Sequence, residues 1–320
     1  MRIAVFGATG FVASRLIEHL LSDPAHSVIA AARRPESLPL HDRIEVRRME
    51  AGDAAAIHAA LEGADAAVNC IMGTAQAMLE STRNLAEAAR RRHLPRLVHI
   101  SSIAVFGDRE GLVDEDASQA AGDWYGQAKI GCEEMVGALM RDGLDVITLR
   151  PALIYGPGSA LWTTRIARLL RARRLGDLGE RGDGYCDLVH LDEVAAAIVA
   201  ALKLPGVSGQ SYNLANPAPP TWNAYLMAFA RALGAVPLRR IPGWQLTLER
   251  KIAAPLLRMG EIGLGRLGAA ALVPPPITPG LARLLTRRAR YHSGRADMLL
   301  AGQRIDWREA ILEQAGRDRS

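Results

Sequence analysis

Between residues 2 and 150 short apolar runs alternate with stretches of helical periodicity, and no other feature of this 320-residue chain restricts its fold as much. Arg2–Phe6, Ser27–Ala32, Ile44–Met49, Ala66–Ile71, Arg96–Ile100 and Asp145–Arg150 read as strands. Helices are expected at Phe11–Leu21, Ala54–Leu61, Met78–Arg92 and Tyr125–Arg141. Strands alternating with helices of this length imply βαβ units, hence a parallel sheet covered on both faces. The expected class is α/β, with a doubly wound parallel sheet.

After Pro151 the pattern loosens. A helix is expected at Leu161–Arg173, then a glycine-rich stretch (GDLGERGDG), then helices at Asp192–Leu202 and Trp222–Leu233, with Pro217, Pro219 and Pro220 between the last two. The tail reads as helical and proline-punctuated. The expected division is a dinucleotide-binding domain over residues 1–155, with later returns near 187–215. A smaller, mainly helical and discontinuous substrate lobe over 156–320 faces the sheet's C-terminal edge, where open α/β sheets bind ligands. With 49% hydrophobic and only 5% aromatic residues, the core must be built mainly from Ala, Leu, Ile and Val.

Several function classes are disfavoured. The net charge of +5 comes from scattered arginines in short clusters such as Arg33-Arg34 and Arg90-Arg91-Arg92. No aromatic residues alternate with them, so no nucleic-acid platform is expected. Cys70, Cys132 and Cys186 have neither CxxC nor His-paired spacing, which argues against disulfides or a metal site and for a reducing cytoplasm. Arg2–Phe6 already reads as a strand, so no leader peptide is expected. The apolar stretch Ile252–Val273 is interrupted by Arg258, Glu261 and Arg266, so no membrane span is expected.

Two constellations carry chemistry. The turn Gly7-Ala8-Thr9-Gly10-Phe11-Val12-Ala13 joins the first strand to the first helix. Glycine permits the tight turn and close approach of a pyrophosphate to free N–H groups at the helix start. Any strand-to-helix turn can use glycine, but this position at the head of a βαβ series points to a dinucleotide. An acid at the end of the second strand would accept from the adenosine ribose of NAD. Here the strand runs through Ala30-Ala31-Ala32 into Arg33-Arg34, and a guanidinium suits a phosphate, so NADP(H) is expected over NAD(H).

The second constellation is Ser101-Ser102, ending the strand RLVHI, with Tyr125 and Lys129 four residues apart on one helix face. A nearby ammonium stabilises a phenolate and brings the tyrosine's pKa closer to working pH. A serine hydroxyl at the strand's end could hold the substrate oxygen during proton transfer. The chain has lysine only at positions 129, 203 and 251, which makes a chance Tyr-x-x-x-Lys uncommon.

On GATGFVAS, Gly52-Asp53, HISSIAVFG, YGQAK with Glu133 downstream, LRPALIYGPG and DLVHLDEVA, the chain resembles extended or atypical short-chain dehydrogenases/reductases. These have a Rossmann fold and include sugar-nucleotide epimerases and 3β-hydroxysteroid dehydrogenases. The resemblance covers most of the chain. It implies catalysis by Ser102, rather than Ser101, with Tyr125 and Lys129. It places Asp53 and Ala54 by the adenine, Ile71 and Gly73 along the cofactor, and Pro151 and Ile154 by the nicotinamide. His190 matches a family histidine, whose bland reading is a satisfied structural role. A homodimer through the helix of the Tyr–Lys pair and its neighbour is implied as well.

Departures from the pattern bear on substrate. Met78 stands where sugar-nucleotide epimerases carry an asparagine, and Leu153 where an asparagine touches the nucleotide sugar. A polar sugar pyrophosphate needs partners that these side chains lack. The apolar tail around Trp244–Leu267, PPPITPGLARLL and Tyr291–Arg295 resembles the distal half of 3β-hydroxysteroid-dehydrogenase-like proteins. An NADP(H)-dependent interconversion of alcohol and ketone on a small apolar substrate is therefore expected. The alternatives are a sugar-nucleotide epimerase, dehydratase or reductase, and a non-catalytic NADP-binding accessory protein, whose relatives commonly lack an intact Tyr–Lys pair.

Overall fold

The computed structural model describes residues 1–249, 251, 257 and 276–317. The strands β1 (Arg2–Phe6), β2 (Ser27–Ala32), β3 (Ile44–Arg48), β4 (Ala66–Asn69) and β5 (Arg96–Ile100) form most of a parallel sheet. Two later segments complete it, β7 (Asp145–Pro151) and β10 (Ser211–Leu214). A short β6 (Gly111–Val113) lies outside, as do β8 (Leu153–Tyr155) and β9 (Leu188–His190), which pair with each other. The seven strands run in the order β10-β7-β5-β4-β1-β2-β3, all parallel, so the direction of winding reverses between β1 and β4. In such sheets the crevice at that reversal, outside the strands' carboxyl ends, takes the ligand.

Helices cover both faces. They are α1 (Phe11–Leu21), α2 (Ala54–Ala60), α3 (Ala75–Arg91), α4 (Trp124–Arg141), α5 (Arg165–Arg171), α6 (Leu191–Lys203) and α7 (Trp222–Ala232). The pleat sorts β1 between them: Ile3 and Val5 pack with Leu16 and Ile17 of α1 and Ile198 of α6. Ala4 and Phe6 face the other way, toward Ile57 of α2, Leu85 of α3 and Val136 of α4. Complete burial of both sets explains why these strands lack polar alternation.

The expected strands and helices of the first half form, with small shifts. The fourth strand stops at Asn69 because Asn69 turns its carboxamide oxygen to the N–H of Ile71. The third helix begins at Ala75, three residues before the expected Met78, because Thr74 accepts from the N–H of Ala77. The expected helix over Leu161–Arg173 divides into a wide turn, Ala160–Thr164, and α5. A second core gathers Ile166 and Leu169 of α5 with Trp222, Tyr225 and Phe229 of α7, and with Trp307 and Ile311 of the helix Trp307–Arg317. Much of the apolar run Ile252–Val273 lies outside the described residues; among those described, no helix is long and apolar enough to cross a membrane.

Candidate active site

The glycine turn is stitched into the sheet by its own backbone. The N–H groups of Gly7 and Ala8 both donate to the carbonyl of Ala31, at 2.9 and 3.1 Å, and that of Gly10 donates to Gly7 at 2.8 Å. Gly7 has φ +77°, and a Cβ there would lie 3.0 Å from the carbonyl oxygen of Cys70. Only glycine fits this approach without strain. Thr9 is exposed, and Phe11 and Val12 are half-buried at the helix start.

This turn suits a pyrophosphate for a reason visible by contrast. The first turns of α2, α3 and α4 are each capped by a side-chain oxygen, from Asp53, Thr74 and Asp123. The cap of α1 is Gly10, which offers no side-chain acceptor, and its first turn holds no acid. Its N–H groups therefore keep their partial positive charge for an anion. Arg33 and Arg34, at the end of β2, are exposed and make no ion pair among the described residues. Asp53 spends its carboxylate on the N–H of Ala56 at 2.9 Å, with Ala54 beside it. Ile71, Gly73 and Pro151 follow or end strands on the same carboxyl-terminal edge, and Ile154 lies just beyond in β8. The residues present fit a nicotinamide dinucleotide.

Ser102, Tyr125 and Lys129 come together at the next part of that edge. Asp123 caps α4 by accepting from the N–H of Gly126 at 2.8 Å, which sets Tyr125 in the first turn. A Cβ on Gly126 would lie 2.6 Å from the carbonyl oxygen of Ala104, so glycine there lets α4 press against the Ser102 turn. Ser102 is half-buried and accepts from the N–H of Ala104 at 3.2 Å, on the turn against which the first turn of α4, with Tyr125, is pressed. Ser101 is buried and turns away, donating to Glu133. Geometry thus separates the two serines that the sequence left adjacent.

The electrostatics differ from expectation. Burial pushes the Tyr125 hydroxyl above the ordinary phenol range, and the nearby Ser102 hydroxyl pulls the other way. Lys129 is buried and donates to the carbonyl of Ile100 at 2.7 Å, its Nζ 6.0 Å from the centre of the Tyr125 ring. Burial pulls its own pKa down. The ammonium thus stands near the Tyr125 ring while its hydrogen bond goes to the backbone at the end of β5. Met78, at the expected epimerase asparagine position, is buried against Ala128 and Cys132, with Tyr125 packed beside them.

His190 has a structural role. Its Nδ1 accepts from the N–H of Asp192 at 3.2 Å and caps α6, while its ring meets Tyr155 edge-on at 5.1 Å. The sequence reading missed Asp123 and Gly126, although an Asp three residues before a glycine at a helix start is itself a cap signal. It also missed the buried pair of Asn69 and His99, 3.2 Å apart beneath the site. Nothing in the local pattern announced that contact between neighbouring strands.

The family model described as "NAD dependent epimerase/dehydratase family" matches residues 3–215. Protein YeeZ of Escherichia coli is 31% identical over 159 residues, covering 50% of this chain and 54% of YeeZ. The chain thus spans about half the length of that relative. The 3 beta-hydroxysteroid dehydrogenase/Delta 5→4-isomerase of Mycobacterium tuberculosis is 27% identical over 306 residues, 88% of this chain and 80% of that one. In three dimensions the chain resembles UDP-glucuronic acid 4-epimerase from Bacillus cereus in complex with NAD. The TM-score is 0.76 at 18% identity, with 100% of both chains covered, which shows a shared fold.

Proposed function

Because the chain belongs to the NAD-dependent epimerase/dehydratase family, we propose that it interconverts an alcohol and a ketone or aldehyde, with NADP(H) preferred over NAD(H). It is an enzyme of the extended short-chain dehydrogenase/reductase kind. The observation that carries the reading is the buried Lys129, its Nζ 6.0 Å from the centre of the Tyr125 ring, on a helix whose Gly126 presses against the turn that Ser102 opens.

When bound, the nicotinamide supplies or accepts the hydride at the carbon centre. The chain does the rest. Burial keeps Tyr125 protonated at neutral pH, so in the reducing direction it gives its phenolic proton to the carbonyl oxygen. Ser102 donates to the same oxygen and holds it in line with Tyr125. Lys129 offsets the phenolate left behind, as a cation in a poorly solvated place. Arg33 and Arg34, exposed just after β2 and outside any ion pair among the described residues, support the preference for a phosphorylated ribose.

An apolar substrate is supported by the rim. Met72 after β4, Trp124 beside Tyr125 and Leu161 after β8 are all large, apolar and more than half exposed. Such side chains exposed beside a catalytic group fit an apolar ligand. The whole-chain likeness to a sugar-nucleotide epimerase favours a second reading, in which the same residues oxidise and reduce a sugar carbon. A cytoplasmic homodimer pairing through α3 and α4 is the assembly in which we place the activity.

One screen separates the two readings. Purified protein is tested for ketone-dependent NADPH oxidation across sterol, isoprenoid, fatty and aromatic carbonyls, and for binding of nucleotide sugars. Turnover of an apolar carbonyl is expected. Binding of a nucleotide sugar with no activity on any apolar carbonyl overturns the preference.

A further inference from the structure

We infer that Glu133, acting through Ser101 and Arg150, is the positioning residue that holds Ser102 within reach of Tyr125. The inference rests on the proposed Ser102–Tyr125 chemistry and concerns what keeps that pair in register. Glu133 lies on α4, four residues after Lys129 and eight after Tyr125, so it faces the same side of the helix. Its side chain is buried, as is that of Arg150 near the end of β7.

Both carboxylate oxygens are fully engaged. One accepts from the hydroxyl of Ser101 and, at 3.0 Å, from Nε of Arg150. The other accepts from Nη2 of Arg150 at 2.7 Å and from the Gln119 amide at 2.5 Å. Arg150 turns its remaining nitrogen to the carbonyl of Glu115 at 2.8 Å and lies over the Phe106 ring, 5.2 Å from its centre. Phe106 belongs to the turn that Ser102 opens. A single carboxylate thus ties together the catalytic helix, the ends of β5 and β7, and the loop through residues 115–119.

Stability alone gives little reason for this arrangement. A buried ion pair recovers its desolvation cost only partly, and apolar residues of similar volume often stabilise as well or better. What apolar residues lack is direction. Four donors converging on one carboxylate admit one geometry, whereas packed methyl groups tolerate sliding. Ser101 is joined covalently to Ser102, so turning Ser101 away from Glu133 swings Ser102 away from Tyr125. A displacement of about 1 Å at such a site is enough to cost on the order of 100-fold in rate.

The test uses Ser101→Ala, Glu133→Gln and the volume-matched double variant Glu133→Leu/Arg150→Met. Four quantities are read: kcat and KM for the best carbonyl, NADPH affinity, thermal stability, and the Tyr125 resonance in 13Cζ-tyrosine NMR without cofactor. Tyr125→Phe assigns that resonance. Ser101→Ala is expected to lower kcat on the order of tenfold, leave NADPH affinity unchanged and move the Tyr125 resonance. Should Glu133→Gln fail to fold, the double variant decides. Restored stability with low kcat and a displaced Tyr125 resonance supports positioning, and recovery of all three overturns it. Unchanged kcat and resonance in Ser101→Ala overturns it too. If the wild type reduces no carbonyl yet Ser101→Ala still moves the resonance, the proposed reaction falls and the positioning role stands.

Discussion

Around the sheet, Ile3, Val5, Leu16 and Ile198 meet small neighbours such as Ala13, Ala30 and Ala197, whereas the second core closes on Trp222, Tyr225, Phe229 and Trp307. Alanine lets helices lie close to strands, so backbone groups can be placed tightly, as at Gly7 against Cys70 and Gly126 against Ala104. Rings fill volume instead. Tyr225 alone meets Trp222, Phe229 and Trp307 with centroids 5.8 to 6.2 Å apart, from positions up to 82 residues distant in the chain. The contrast teaches a division of labour. Closely spaced backbone shapes the sheet's carboxyl-terminal edge, where the proposed cofactor and proton-transfer residues lie, while large rings fill the second core.

The sharpest way to break this division is at the catalytic helix. Tyr125→Phe removes one oxygen and leaves the ring against Met78 and Ala128. It should lower kcat by about 10³-fold, within the range for loss of a general acid. NADPH affinity should hold within about twofold, since the change removes an interaction needed in the transition state rather than in binding. Steady-state kinetics with a fluorescence titration of NADPH checks both. Unchanged turnover removes Tyr125 from its role and places the chemistry elsewhere.

A smaller effect is expected at the nucleotide end. Arg33 is exposed and has no ion-pair partner among the described residues, so Arg33→Ala breaks no internal ion pair. A charge-assisted hydrogen bond to a phosphate is worth about 1.5–3 kcal/mol, which predicts a loss of about 10- to 100-fold in NADPH affinity. NADH, lacking the phosphate, should bind the variant almost as well as the wild type. Equal losses for the two cofactors would sink the phosphate assignment and leave Arg33 as a solvated surface residue.

The same contrast explains what was legible. The sheet half could be read because its strands and helices are long and its burial is periodic; Arg2–Phe6 and Phe11–Leu21 need no distant information. Strand β10 could not. Ser211-Tyr212-Asn213-Leu214 is four residues long and buries Asn213, whose amide finds the carbonyl of His292 across the fold at 3.1 Å. Strands β8 and β9 have three residues each and exist by pairing with each other. At the site, Tyr125 and Lys129 announced themselves by helical spacing. Glu133 and Arg150 did not, because their meeting depends on how α4 lies over β7, and a sequence with many arginines names no partner. Burial of Tyr125 likewise depends on packing, so the direction of its pKa was beyond reach.

A last predicted effect, on stability rather than on turnover, sits at the seam between the sheet and the lobe. Asp187, just before β9, is buried and accepts from the N–H of Asn216 at 3.0 Å and of Tyr291 at 3.1 Å. Burial outweighs those two bonds and pushes its carboxyl up to about 7 from the ordinary 3.8. The folded state therefore holds this proton where the unfolded chain has released it. Stability drawn from this group is lost as pH rises from about 4 to about 7, and the loss is complete above that. Asp187→Asn keeps an oxygen for a backbone N–H and removes the charge, so it should flatten that part of the profile. Relative to wild type the variant should gain in Tm at pH 8 compared with pH 4.5, since a carboxyl held up to about 7 forfeits on the order of 3 kcal/mol of stability over that interval. Scanning fluorimetry across the pH series measures it. A variant that loses as much at pH 8 as at pH 4.5 would mean that the carboxylate is accommodated in its charged form, and that the seam tolerates charge as the active-site network of Glu133 and Arg150 does.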